Sequence, residues 1–198
     1  MKQMLRNTGI AIAVAAAVAG IFAMLGALTQ TPDIAGTGAM LAIACGVISW
    51  FALQLLTSNR RVDQAEPAAR ERALAFHCPP GRALVYFVRT GFAGKAVGFD
   101  LAVDGRTVAQ IRSPRFTCIE LSPGNHELSA RVGGGKSAFA PAAARLTTLL
   151  APGSVTLLHI AIRRQLTSSE LAFEPWSIET ARERLPKVVM VAPDAAAV

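Results

Sequence analysis

Two hydrophobic patterns share this chain. From Gly9 to Leu28 it reads GIAIAVAAAVAGIFAMLGAL, a run without charge or alternation. As a helix, a run of that length spans about 30 Å, the thickness of a bilayer's hydrocarbon core. From Gly38 to Leu56 the pattern returns as GAMLAIACGVISWFALQLL, with Gln54 as its one strongly polar residue. The intervening TQTPDIAGT holds Pro32, Asp33 and Gly36, which favour a turn over a continued helix. The pattern predicts a two-helix transmembrane hairpin, with helices over 9–28 and 38–56 and a short external loop over 29–37. Small residues recur every four positions at Gly9, Ala13 and Ala17, at Ala16 and Gly20, and at Gly38, Ala42 and Gly46. That spacing lets helix backbones approach closely, so packing within the hairpin, or oligomerisation through it, is expected.

Beyond Pro80 the period changes to two, and Gly, Pro, Asp and Asn punctuate short apolar runs. ALVYFVR, Ala83 to Arg89, reads as a first strand, and Gly98 to Arg112 as a hairpin turning on Asp104-Gly105. Pro123-Gly124-Asn125 reverses the chain within Arg115 to Val132, where Leu128, Ala130 and Val132 alternate with Glu127, Ser129 and Arg131. Pro152-Gly153 repeats the design between strands at Arg145 to Leu150 and Ser154 to Arg163. SSELAFEP adds a strand. SIETARERL is a helix capped by Ser177 and stopped by Pro186, and KVVMVAP returns as a last strand. The fold class expected is a two-helix transmembrane hairpin followed by an all-β sandwich of seven or eight strands with one short C-terminal helix. The sandwich occupies 80–192 and a flexible tail 193–198.

Charge sharpens this division. Before Thr57 the ionisable side chains are Lys2, Arg6 and Asp33, so 18 of the 20 basic and 12 of the 13 acidic residues lie in the rest of the chain. Lys2 and Arg6 in the 1–8 terminus precede the first span, and Arg60, Arg61, Arg70 and Arg72 follow the second within a 57–79 juxtamembrane linker. The connecting loop has no Lys or Arg. By the positive-inside rule both termini, and the soluble domain, face the cytoplasm of a bacterial inner membrane. A cleaved signal peptide is the competing account of the first span, but the apolar stretch is long and lacks a clear small-x-small site. The four linker arginines are candidate contacts for anionic head groups, each contributing roughly 1 kcal/mol near the surface. No basic run interleaves with aromatics, so nucleic acid is not expected as a partner.

The segments GRALVYFVR, VDGRTVAQI, FTCIELSPGNHEL, LTTLLAPGSVTLLHI and the closing helix with KVVMV resemble the bacterial family catalogued as domain of unknown function 2846, over about Pro80 to Val191. The resemblance implies a small transthyretin-like or immunoglobulin-like sandwich, often borne by lipoproteins or membrane-anchored proteins, with no assigned activity. This chain departs from the lipoprotein pattern in having no lipobox cysteine after its first apolar segment.

Candidate chemistry is sparse. His77, Cys78, Cys118, His126 and His159 show no C-x-x-C or H-x-x-x-H spacing, so no metal or cofactor is expected. A Cys78–Cys118 bridge requires an oxidising compartment, and the cytoplasmic assignment predicts both reduced. Gly133-Gly134-Gly135-Lys136 follows a strand and lacks the Gly-x-x-x-x-Gly-Lys-Ser spacing and helix start of a phosphate loop. No Gly-x-Ser-x-Gly occurs. Tyr86 and Arg89 on the first strand form a candidate binding surface, weighed against a packed aromatic and an exposed edge arginine. The reading is a non-catalytic, membrane-anchored protein-interaction or scaffolding module, with a lipid bilayer and a protein as partners. The alternative is a small-ligand or lipid-sensing sandwich, which requires an apolar cavity between its sheets.

Overall fold

A computed structural model describes residues 2–29, 39–50, 62–92, 95, 97–133, 141–164 and 168–194. Arg60 and Arg61, most of the 29–37 loop, the end of the second apolar run and residues 195–198 lie outside the described residues. The chain divides into two units, Met1–Ser58 and Asn59–Val198.

In the first unit α1 (Lys2–Thr29) contains a stretch, Thr8–Leu25, long and apolar enough to cross a bilayer. A second apolar helix, α2 (Ala39–Trp50), is shorter as described than a spanning helix. The two touch through small residues. A Cβ built on Gly46 would lie 3.0 Å from the Ala15 Cβ and 3.5 Å from the Ala11 carbonyl oxygen, and Ala11 and Ala42 are buried. On α2 this contact uses Ala42 and Gly46 of the stripe read from the sequence, and Gly38 lies outside the described residues. The α1 stripe read from the sequence is not used: Gly9, Ala13, Ala16, Ala17 and Gly20 are exposed, and Ala11 and Ala15 make the contact. An Ala-rich helix offers several small-residue stripes. The one used here is flanked by half-buried Val14, Val18 and Phe22.

The second unit holds nine named strands in two sheets. One has the order β8 (Ser169–Pro175), β7 (Val155–Arg164), β1 (Ala83–Arg89), β4 (Arg115–Leu121), β9 (Val189–Met190). The other has the order β3 (Arg106–Ile111), β2 (Phe99–Val103), β5 (Gly124–Val132), β6 (Ala144–Leu150). Asp104 (φ 50) and Gly105 (φ 76) make the β2–β3 hairpin turn as expected. The two Pro-Gly turns reverse the chain and also carry it between sheets, because β4 and β7 belong to the first sheet and β5 and β6 to the second. The first sheet is mixed rather than antiparallel: β1 runs parallel to β7 and β4 parallel to β9.

The layer between the sheets is filled by Val85, Phe87, Phe99, Leu101, Ile111, Ile119 and Ile160. A second apolar layer lies on the other face of the first sheet. There Leu84, Tyr86, Val88, Phe116 and Leu157 meet Ala73 of α3 (Pro67–Leu74), Phe76 just after it, and Ala181 and Leu185 around α4 (Ile178–Arg184). All seven residues of β1 are consequently buried, as parallel strands covered on both faces are. Ser177 caps α4 by accepting the Thr180 amide at 3.2 Å, as its sequence predicts.

The expected linker is thus part of the fold from residue 62 onward. Gln64 bridges Val191, and the Ala65 amide donates to the Met190 carbonyl at 3.0 Å. Pro67 opens α3, where its missing amide would have had no helical partner.

Candidate functional site

Of the four linker arginines, two are described. Arg70 Nη2 donates to the Pro186 carbonyl at 2.7 Å, which ties α3 to the turn after α4. Arg72 is exposed and donates through Nε to Ala68 at 3.3 Å. Arg70 also lines a shallow groove with Gln64, Ala65 and the segment Pro186–Met190.

Tyr86 and Arg89 do not form a surface. Tyr86 is fully buried, its ring lies 5.4 Å from that of Phe76, and its hydroxyl donates to the Ala73 carbonyl at 2.6 Å. Burial holds its phenol protonated, well above the ordinary tyrosine range. Arg89 was weighed as an exposed edge residue, yet only 2% of it is exposed. It points between the sheets, where its guanidinium sits 4.7 Å from the centre of the Phe99 ring and donates to Ile160 at 2.9 Å. The attraction of a cation to an aromatic face stabilises such a placement, and desolvation lowers its pKa. Tyr86 is the packed aromatic weighed from the sequence, whereas Arg89 is not an exposed edge residue, because α3, α4 and the second sheet cover β1 on both faces.

The thiols are buffered against reactivity. Cys118 sits opposite Tyr86 in the β1–β4 register, and burial pushes its thiol up to about 12 despite the bond with the Tyr86 hydroxyl. Cys78 donates to the Arg82 carbonyl at 3.1 Å, and desolvation and the Glu120 carboxylate raise it as well. Because the thiolate is the nucleophile and metal ligand, both act as neutral packing groups. Among the described residues no three His, Cys, Asp or Glu side chains converge as a metal site would require.

Two histidines have built surroundings. His126 Nδ1 meets Asp104 Oδ2 at 2.7 Å and its Nε2 meets the Ser122 carbonyl at 2.9 Å, while Asp104 Oδ1 accepts the Glu127 amide at 2.9 Å. This ties the β2–β3 turn to β5. Desolvation opposes the imidazolium, but Asp104 and Ser122 outweigh it and raise the His126 pKa.

His159 is the centre of a larger constellation. Its ring stacks on Trp176 with centroids 5.0 Å apart, and the Arg184 guanidinium covers Trp176 at 5.3 Å. Nε2 lies 3.1 Å from Thr90 Oγ1, and Nδ1 lies 3.5 Å from Glu174 Oε2, whose other oxygen takes Arg163 at 3.3 Å. Hydroxyl, imidazole and carboxylate follow one another as in a nucleophile–base–acid relay. Trp176 blocks one face of the ring, and desolvation lowers the His159 pKa against the pull of Glu174, favouring the neutral imidazole. The group locks the end of β1, β7, β8 and α4 together. Sequence reasoning weighed His159 as a metal ligand only, and nothing local marks its stacking on a tryptophan seventeen positions on.

The inter-sheet layer, where a ligand-sensing sandwich requires its cavity, is lined by fully buried side chains among the described residues. No family model matches the chain, and no curated protein matches it in sequence.

Proposed function

We propose that this chain is a non-catalytic, membrane-anchored module. In this reading the hairpin over 9–28 and 38–56 holds it in a bacterial inner membrane, and the β unit stands at the cytoplasmic face for a protein partner. The observation that carries it is the inversion of packing in the first unit. Ile12, Ile21, Met24, Met40, Ile43 and Ile48 point outward, each more than half exposed, while Ala11 and Ala42 are buried. Such an exterior suits lipid, where small residues supply the helix contacts. The arginine bias supports the cytoplasmic orientation. The non-catalytic part rests on where the polar groups are used: Tyr86, Arg89, His126 and His159 all brace the fold. The likeness of residues 80–191 to the domain of unknown function 2846 family is compatible with this role and stands as part of the proposal.

Alkaline carbonate washing of membranes tests the anchor. The full chain should stay in the pellet, and removal of residues 1–58 should release the remainder. Release of the full chain by carbonate would refute anchoring, and a reporter at Val198 active only in the periplasm would refute the orientation.

A further inference from the structure

The strand registers gather cations at one end of the five-stranded sheet. Arg89, at the end of β1, is opposite Arg115, and Arg115 is beside Val189, the first residue of β9 after Lys187. The parallel β1–β7 register carries Arg163 and Arg164 to the same end. The Ser113 hydroxyl donates to the Gly91 carbonyl, which fastens the segment after β1 to the β3–β4 corner bearing Arg112. On that segment Phe92 is 87% exposed, the most exposed large apolar side chain among the described residues. The Lys95 amide donates back to its carbonyl at 3.1 Å.

The two ends of the sheets differ in charge pairing. Toward the far end Arg82 meets Glu120 at 2.7 Å, Arg145 meets Glu127 at 3.6 Å and His126 meets Asp104 at 2.7 Å, while Arg106 at the β2–β3 turn has no carboxylate within 4.0 Å among the described residues. At the Phe92 end the carboxylates include Glu170, across from Arg163 in the β7–β8 register, Asp100, which accepts from Gln110 and faces Arg131 at 3.9 Å, and Glu66, two residues past Gln64, which bridges Val191 beside β9. Among the described residues, Lys95, Arg112, Arg115, Arg164 and Lys187 have no carboxylate within 4.0 Å. Unpaired cations packed beside one another repel, so this end is complementary to a dense anionic surface. A single exposed aromatic among them adds an apolar tip that water does not favour.

We propose that this strand end is the face the β unit turns to its own bilayer. Phe92 enters the head-group region, and Lys95, Arg112, Arg115, Arg164 and Lys187 meet anionic lipid phosphates. The inference rests on the membrane anchoring proposed above. It places the main lipid contact on the folded domain, whereas Arg70 is engaged with Pro186 and Arg72 with Ala68.

The test uses the full chain in nanodiscs of phosphatidylcholine with phosphatidylglycerol, carrying the photo-crosslinker p-benzoyl-phenylalanine at position 92 or, in a second protein, at position 149. Leu149 is 71% exposed and lies on the outer face of the other sheet, so it serves as the control. Lipid adducts at position 92 should exceed those at 149 by about ten-fold. They should fall several-fold in discs of phosphatidylcholine alone, in high salt, and in the triple variant Lys95→Gln, Arg164→Gln, Lys187→Gln, as contacts to anionic head groups do. Equal lipid adducts at the two positions, or adducts at 92 to protein in place of lipid, would overturn the docking face while the chain stays in the disc. Loss of the chain from the disc on washing would remove the anchoring and the docking face together.

Discussion

The two units place the same kinds of side chain in opposite ways. On α1, Ile12 is 63% and Met24 67% exposed while Ala11 is buried; in the β unit Phe87, Phe99 and Ile160 are fully buried and Arg131 and Arg145 face outward. Water drives apolar area inward in the second case. In the lipid setting proposed for the first unit no such force acts between helices, and close backbone approach at Ala15 and Gly46 takes over. A composition that is 52% hydrophobic over the whole chain hides this. Position relative to the solvent, more than residue type, decides what each side chain contributes.

The sharpest way to break the comparison is to truncate one large apolar residue in each unit. Phe87 fills the inter-sheet layer, with its ring 5.9 Å from that of Phe173. Phe87→Ala should lower the stability of the β unit by about 3–5 kcal/mol, through lost burial and the cavity left behind. Ile12→Ala removes a side chain that contacts little protein, so the same unfolding measurement on the full chain in detergent should leave the β transition where it was. Equal losses would mean that the outward face of α1 is not a lipid face.

A smaller effect separates the two apolar layers within the β unit. Tyr86→Phe keeps the ring against Phe76 and removes the hydroxyl that donates to Ala73. The cost should be about 1 kcal/mol, the usual net worth of such a bond, because the Ala73 carbonyl still accepts the Phe76 amide at 3.2 Å. Hydrogen exchange should rise in residues 67–74 and change little in β1. A uniform rise would show that the helix layer and the sheet open together.

Much of the strand layout was legible because its signals are local. Asp104-Gly105 demands a positive-φ turn, ALVYFVR has strand character, and Ser177 caps the next helix whatever surrounds it. What was hidden depends on distant chain. A Pro-Gly turn specifies reversal, but whether β4 then pairs with β5 or leaves it for the other sheet depends on registers with β1 and β2. Arg89 reads as an edge residue until α3, α4 and Phe99 enclose its strand. Pro67 reads as a breaker or as a first-turn residue according to where the helix begins. The stacking of His159 on Trp176 and the gathering of Arg112, Arg115 and Lys187 at one end likewise exist only after folding.

The smallest effect contrasts the two histidines, one at each end of the β unit, across about pH 5 to 8. Asp104 and Ser122 raise His126 above its ordinary 6.5, so the folded state holds that proton more tightly than the unfolded chain. Its contribution is complete below 6.5 and is lost as pH rises through the folded value. Desolvation lowers His159 below 6.5, so there the unfolded chain holds the proton more tightly. Its contribution is complete above 6.5 and is lost as pH falls toward the folded value. In the native chain the two slopes oppose each other. Replacing one histidine should expose the other: His126→Gln should leave a protein that weakens as pH falls through this window, and His159→Phe, which preserves a ring against Trp176, one that weakens as pH rises. Each slope should be modest, since half of the Asp104 side chain is open to solvent and water screens the pair. Denaturant midpoints measured at both ends of the window check the signs, and slopes of the same sign in the two variants would show that Asp104 and Ser122 do not raise His126 or that burial does not lower His159.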